Sequence, residues 1–248
     1  MSGKRLLLAS TAASNKLNYF TNGWGRMLSP SSSSGMLVVH RNFGGRSERV
    51  AFAMSKLANS LHREGIEYCV VGGNALHAHG YERATTDVDV LMTKEGLKTF
   101  VETHVGRGYT QRFEGAKTKF RNTADDVPID ILLTGSYPGE TQTEVPFPHP
   151  RDISYDESFF SLGGDSNNTP QTIRVVDLKN LINLKLVSYK DLPEERIQDY
   201  VDVRKLIEIN LLQEDFEKNL HPSVHDLYRK AVATVKKIKQ RDMNDTIG

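Results

Sequence analysis

The sequence predicts an α+β domain, in which helices flank a mixed β-sheet, followed by a small bundle of helices. Short hydrophobic runs of the kind that form buried strands alternate with amphipathic helical patterns between residues 48 and 176. From residue 177 to residue 248 the pattern is helical throughout. A basic, serine-rich segment, residues 1–47, precedes both parts. We therefore predict a leading segment outside the fold, a mixed core and a helical C-terminal region.

Small polar residues mark the ends of the predicted elements. Ser47 begins the first helix, whose apolar residues recur at helical spacing until Gly65. Thr93 and Asp177 are suited to cap later helices, because their side chains can accept hydrogen bonds from first-turn N–H groups. Residues 135–170 are rich in Gly, Pro, Ser and Asp, which predicts a long surface connection with room for a short hairpin. In chain order the predicted elements are a helix at 47–65, a strand at 66–71, a short helix at 74–79, a strand at 87–92, a helix at 93–106, a pair of strands or one long bent strand at 109–122, strands at 127–134 and 173–176, and helices at 177–189, 193–209, 213–220 and 222–241.

The first 47 residues have the composition of an organellar transit peptide. They contain six basic residues, no acidic residue and many serines. Arg41-Asn42-Phe43 also resembles the arginine-bearing cleavage context of mitochondrial presequences. A disordered, low-complexity tail fits the same composition. The expected location is a mitochondrion or another organelle if the segment is a transit peptide, and the cytoplasm otherwise.

Composition excludes several classes of protein for the remaining chain. From residue 48 onward 31 acidic residues face 26 Lys and Arg, which does not fit a strongly basic nucleic-acid binder. The single cysteine, Cys69, rules out an intramolecular disulfide framework. No apolar run approaches the roughly 20 residues that span a bilayer, so no membrane partner is expected. Nothing in the sequence indicates an oligomeric state.

Two predicted strands carry carboxylates in a pattern that suits a metal ion. Asp87 and Asp89 alternate along one strand and therefore project from the same face. A third aspartate, Asp130, lies in a similar hydrophobic run. Carboxylates this close repel each other unless a cation neutralises them, and oxygen ligands suit Mg²⁺. Three such groups can hold two Mg²⁺ ions about 3.5–4 Å apart around a phosphoryl transfer. The alternative is a turn and a strand whose aspartates cap neighbouring backbone groups.

A double glycine precedes the acidic strand and predicts a phosphate contact. Gly72 and Gly73 end the strand at 66–71 and allow a sharp turn. The backbone N–H groups that follow are near the start of a short helix, where phosphate oxygens bind well. This pattern is weak alone, and the three carboxylates strengthen it.

These residues resemble the nucleotidyltransferase superfamily of DNA polymerase β. The resemblance rests on Gly72-Gly73, then Asp87-Val88-Asp89, then Asp130, and covers roughly residues 50–210. The string from Val71 to Asp89 is similar to small bacterial members, which include the abortive-infection type II (AbiEii-like) group and minimal nucleotidyltransferases. The later residues that resemble the helical tail of that group are Leu184, Lys185, Leu186, Arg196, Asp199 and Asp202.

The resemblance implies a nucleotidyltransferase-like mixed sheet with a magnesium site at one end. It implies that Asp87 and Asp89 bind both metals and that Asp130 binds one of them. It also implies that Gly72 and Gly73 hold the phosphates of a nucleoside triphosphate. Many active members have Ser after the first glycine, whereas here Gly73 and Asn74 follow Gly72. The Asn74 amide can still donate to a phosphate oxygen.

Two cations are candidates for steadying the triphosphate. Arg83 comes shortly before the acidic strand, and Lys185 lies on the helix after the last strand. The alternative for Lys185 is a solvated helix face or a local ion pair, and the alternative for Arg83 is a surface contact to the turn.

Two functions follow from this pattern. The first is a Mg²⁺-dependent nucleotidyltransferase, which moves a nucleoside monophosphate from a triphosphate to a hydroxyl or phosphate acceptor. The acceptor could be an RNA end, a protein or a small molecule, and the segment 135–170 could shape its pocket. The second is a binding or regulatory module that keeps the fold without turnover. Joint coordination requires the three carboxylates to lie within about 4–5 Å of one metal position.

Overall fold

One mixed β-sheet, flanked by helices, carries the predicted site residues. In this computed structural model the described residues are 36–38, 46–138, 145–160 and 171–247. Within them the strands are β1 (Met36–Val38), β2 (Tyr68–Val70), β3 (Val88–Met92), β4 (Tyr109–Gln111), β5 (Lys119–Asn122), β6 (Val127–Leu133), β7 (Ser154–Phe160) and β8 (Gln171–Val176). They form a single sheet in the order β1-β7-β8-β2-β3-β6-β5-β4. β3 runs parallel to β6 and antiparallel to β2, and β5 runs antiparallel to β6.

Helices precede, interrupt and follow the strands. They are α1 (Arg46–Arg63), α2 (Gly72–Ala78), α3 (Lys94–His104), α4 (Pro150–Ile153), α5 (Leu178–Asp191), α6 (Ile197–Ile209) and α7 (His225–Ile247), with 3-10 turns at Glu214–Asn219 and Pro222–Val224. α5, α6 and α7 pack against one another in sequence order. The predicted fold class is confirmed: a mixed sheet flanked by helices, with helices at the C-terminus.

Local capping explains where several helices begin and end. The Thr93 hydroxyl accepts a hydrogen bond from the Gly96 N–H (3.0 Å) at the start of α3. The Asp177 carboxylate accepts one from the Asn180 N–H (2.9 Å) at the start of α5. Gly65 has a φ of +63° just after α1, a conformation that costs glycine little. These helix ends agree with the sequence prediction because caps depend on residues a few positions apart.

The strands β3, β6 and β5 have one covered face, and their other face, the open face, is accessible around Asp130 and Lys119 although Leu91 of β3 is buried there. Along β6, Ile129 and Ile131 are buried, whereas Asp130 between them is partly exposed. On the covered face Phe100 of α3 packs edge-on against Phe120 of β5, with ring centroids 5.3 Å apart. The site residues Asp89 and Asp130 alternate with this core and therefore project from the opposite, open face.

Some predicted elements differ from the structure. The segment 135–170 is not only a surface connection: it includes all of β7, which pairs antiparallel with β8. Its aromatic residues favour an extended strand, but Gly and Pro on either side hid that pattern. The sixth helix begins at Ile197 and not at Pro193, because Pro193 starts a turn after α5. The helix predicted at 213–220 is a 3-10 helix, and α2 begins at Gly72 itself.

The transit-peptide prediction concerns residues outside the described part of the chain, apart from β1 and the start of α1. Predicted boundaries at residues 47 and 176 likewise stay predictions. None of the described helices is long and apolar enough to cross a membrane.

Candidate metal and nucleotide site

Three carboxylates meet at the edge of the open face. β3 and β6 are parallel, and their register places Asp89 directly beside Asp130. Asp87, two residues before Asp89, lies on the same side of the chain. One oxygen from each of Asp87, Asp89 and Asp130 lies within 4.8 Å of the others. This separation meets the condition for joint coordination of a cation.

The environment of Asp89 shows the electrostatic cost of this arrangement. Burial, and after it the neighbouring charges of Asp87 and Asp130, raise the pKa of Asp89 to about 7. The cation of Lys185 acts in the opposite direction. A carboxylate in this state is unfavourable when ionised, so a bound cation would stabilise it.

Asp130 has two cationic neighbours that the sequence did not reveal. Lys119 Nζ lies 2.8 Å from Asp130 Oδ2, and Arg112 Nη1 lies 3.7 Å from Asp130 Oδ1. Lys119 stands directly opposite Asp130 in the β5–β6 pair. Only this strand register brings them together, and it joins residues 11 positions apart across a turn. The one local indication was that Lys119 lies in a basic stretch.

Gly72 is required where the turn touches the acidic strand. Its φ is +62°, and a Cβ at this position would lie 1.9 Å from Asp89 Oδ2. The Val71 N–H donates to the Asp89 carbonyl oxygen (3.0 Å), which holds the two segments together. A Cβ on Gly73 would lie 2.5 Å from Thr85 Cγ2. Both glycines are therefore needed for the backbone to approach the carboxylates.

The Asn74 side chain supports the segment that carries Asp87. Its Nδ2 donates to the main-chain oxygen of Asp87 (2.7 Å), and its Oδ1 accepts from Thr85 Oγ1 (3.2 Å). Asn74 is almost fully buried. The structure thus shows a positioning role for this residue, while the phosphate contact stays a prediction.

Lys185 lies in a buried ion-pair cluster behind the triad. Its Nζ donates to Asp199 Oδ1 (2.8 Å) and to Asp202 Oδ2 (2.7 Å). Gln198 Nε2 also donates to Asp202 (2.8 Å), which is fully buried. Arg83 Nε lies 3.3 Å from the same carboxylate. The local ion pair that was the alternative for Lys185 is therefore present in the structure, and Arg83 lies beside the same Asp202 carboxylate.

Arg83 also lies beside the glycine turn. Its Nη2 would be 3.0 Å from a Cβ on Gly73, so the guanidinium is close to the predicted phosphate position. Arg83 and the glycines are thus brought together, whereas the partners of Lys185 are Asp199 and Asp202 of α6.

The residues present fit a Mg²⁺ site. The donor set is oxygen alone, which Mg²⁺ prefers. Asp130 Oδ1 accepts no hydrogen bond from the described residues, and a Cβ at Gly72 would fill the space beside Asp89. An acidic triad that could bind a metal is therefore present, next to a turn that only glycine can form.

Comparison with one solved structure supports the fold. No protein-family model matches this sequence, and no curated protein sequence matches it. The fold is similar to that of an antigenic nucleotidyltransferase-like protein from Paracoccidioides brasiliensis, with a TM-score of 0.50 and 17% identity over 81% of this chain and 92% of that chain. ANT(2″)-Ia in complex with adenylyl-2″-tobramycin aligns with a TM-score of 0.46 and 13% identity over 73% of this chain and 97% of that one.

This comparison defines the kind of fold. The chain has a nucleotidyltransferase-like α+β fold, and its acidic triad lies on β3, on β6 and one residue before β3.

Proposed function

We propose that this protein is a Mg²⁺-dependent nucleotidyltransferase. The observation that carries the proposal is the convergence of Asp87, Asp89 and Asp130 within 4.8 Å, beside the Gly72 turn that packs on Asp89. A plain structural role would not require three carboxylates on one face, because burial and their mutual repulsion raise the pKa of Asp89 and make its ionised form unfavourable. The resemblance of residues 71–89 to AbiEii-like and minimal nucleotidyltransferases supports membership of that group of small bacterial proteins.

In this proposal the site residues have three different roles. Asp87, Asp89 and Asp130 would hold two Mg²⁺ ions, which when bound neutralise the triphosphate and lower the pKa of the attacking hydroxyl. The Gly72-Gly73 backbone approaches the phosphates, since side chains there would collide with Asp89 and Thr85. Arg83, next to Gly73, adds a positive charge on the same side.

The reaction transfers a nucleoside monophosphate. The acceptor hydroxyl oxygen attacks the α-phosphorus of the triphosphate, and the bond from that phosphorus to the β-phosphate bridge breaks. Pyrophosphate leaves with the electron pair of that bond. The hydroxyl proton passes to a carboxylate of the triad. Positioning and charge stabilisation supply most of the rate enhancement in this type of chemistry.

A double substitution tests the proposal. We expect Asp87→Asn with Asp89→Asn to abolish transfer, since amides are poor Mg²⁺ ligands, while the fold is retained. The assay incubates the protein with Mg²⁺ and each of the four α-³²P-labelled triphosphates, ATP included, against total RNA, total protein and small-molecule extracts. Glu195→Gln, an exposed acid in the turn after α5, is the control. Unchanged transfer in the double variant would refute the assignment.

A second candidate is a module that binds nucleotide without turnover. Lys119 and Arg112 favour it, because they already neutralise Asp130 without a metal. Such a module would be stabilised by Mg²⁺ and nucleotide in a thermal-shift assay and would label no acceptor. Detection of any labelled acceptor that depends on Asp87 and Asp89 excludes it.

A further inference from the structure

A row of four charged side chains crosses the open face, from the triad to the hairpin formed by β4 and β5. Asp89 is in register with Asp130, and Asp130 with Lys119. The Arg112 N–H donates to the Lys119 carbonyl oxygen (3.0 Å), which places Arg112 next in the row. Directly paired residues project to the same face of a sheet. Two acids are therefore followed by two bases at the point where an acceptor would approach the triad.

The hairpin is basic although the folded chain as a whole is not. Residues 109–122 contain four basic residues and one acid. Lys117 is exposed, and no ion pair is recorded for it among the described residues. Phe113, at the tip between Arg112 and the exposed acid Glu114, is 59% exposed. An exposed aromatic ring in a cationic surface is an arrangement by which proteins bind single-stranded nucleic acids.

Charge and shape limit what this surface would accept. A polycationic acceptor would be repelled by Arg112, Lys117 and Lys119. A nucleic acid strand offers a phosphate at every nucleotide for these cations and a base for Phe113. The cationic surface is short, so a single strand end fits it better than a long duplex.

We propose that the acceptor is the 3′ end of a single-stranded nucleic acid, held by the β4–β5 hairpin. Its phosphates contact Arg112, Lys117 and Lys119, and a base stacks on Phe113. Its terminal hydroxyl is then the nucleophile of the transfer described above, and in this respect the inference rests on the proposed function.

The ion pairs of Asp130 give the surface a further property. Lys119 is held by Asp130 at 2.8 Å, so the cation is shared between the carboxylate and any phosphate. Asp130→Asn removes a negative charge from the row and releases Lys119. We expect this variant to bind a single strand severalfold more tightly than the unmodified protein.

The experiment measures binding apart from catalysis. Fluorescein-labelled 12-nucleotide single-stranded RNA and DNA are titrated with the full chain in EDTA, by fluorescence anisotropy, between 50 and 200 mM KCl. The test variants are Arg112→Gln with Lys117→Gln, and Phe113→Ala. The matched control is Lys237→Gln with Lys239→Gln, which removes two exposed cations from α7.

We expect the hairpin variant to raise Kd tenfold or more at 100 mM KCl. Its slope of log Kd against log salt should fall by about 1.4, since each phosphate contact on a single strand contributes about 0.7. Phe113→Ala should raise Kd about fivefold or more by loss of stacking. The control should stay within twofold. The RNA and DNA arms decide which sugar is preferred.

Several results would overturn the inference. One is a Kd of the hairpin variant within twofold of that of the unmodified protein, with the same salt slope. Another is an equal loss of affinity in the α7 control. A third is a labelled acceptor that proves to be a protein or a small molecule. Failure of the proposed function would give a different result. A single strand would then still bind through the hairpin, but no acceptor would be labelled.

Discussion

The buried Lys185 cluster offers the sharpest test of the energetics of this fold. Lys185 is 5% exposed, and its ammonium donates to Asp199 and to the fully buried Asp202. In Lys185→Met the Asp202 charge would keep only Gln198 and the more distant Arg83 as partners. Removal of one partner from a buried ion pair costs about 3–5 kcal/mol, because the remaining charge is left desolvated.

A loss of this size is easily measured. For a chain of this length it corresponds to a fall in Tm of roughly 6–20 °C. Calorimetry and urea unfolding would report it, with Lys205→Met as control. Lys205 and Glu208, both on α6, form an ion pair at 3.0 Å, and both side chains are exposed. Removal of this pair should therefore change the free energy of unfolding by no more than about 0.5 kcal/mol.

A second substitution separates charge from packing. Asp202→Asn added to Lys185→Met removes the uncompensated charge, and we expect it to restore at least half of the lost stability. A single variant within about 1 kcal/mol of the unmodified protein would refute the reasoning. So would a double variant no more stable than the single one. The predicted triphosphate contact of Lys185 is tested separately, by measuring the nucleotide affinity of folded Lys185→Met at low temperature. If the contact exists, the Kd for nucleotide should rise about tenfold, and otherwise it should not change.

Three further predictions concern the site itself. Gly72→Ala should destabilise the protein by well over 1 kcal/mol and weaken Mg²⁺ binding in a titration, because its Cβ would collide with Asp89. The control is Gly65→Ala, which has a similar φ and nothing within 4 Å of the added Cβ, and which should cost only about 1 kcal/mol. Equal losses of stability in the two variants would contradict the predicted collision. Because the pKa of Asp89 is raised to about 7 in the fold, this group favours the metal-free folded state most below about pH 4, and its contribution to the free energy of unfolding falls by up to about 4 kcal/mol as pH rises through 7. Asp89→Asn should flatten that part of a plot of Tm against pH. An unchanged plot would show that Asp89 is not responsible for the pH dependence. Asn74→Ala should lower Mg²⁺ affinity about tenfold, since it frees the Asp87 backbone, whereas an affinity equal to that of the unmodified protein would remove the positioning role.

Local features of the structure were predictable from the sequence. The caps at Thr93 and Asp177 and the turn at Gly65 involve neighbours a few residues apart. The shared face of Asp87 and Asp89 follows from the two-residue period of a strand. β7 was hidden because Gly and Pro surround it, and its pairing with β8 is what makes it a strand.

Partnerships across the fold were not predictable in the same way. Lys185 was a candidate for the triphosphate, and its pairing with Asp202 depends on how α5 and α6 pack. Asn74 was a candidate for phosphate, and its amide reaches Asp87, 13 residues away. The side chains of Lys185 and Asn74 can each bind a phosphate or another part of the protein. The tertiary structure places each within hydrogen-bonding distance of a protein partner.

The sequence by itself determined that glycines would lead into an acidic strand and that two carboxylates would share a face, because those properties depend on short-range periodicity. Only the tertiary structure decided that Asp130 joins them, that Gly72 packs on Asp89, and that Lys119 stands over Asp130. Strand register is set by packing of the covered face, and no local pattern encodes which residue faces which across neighbouring strands.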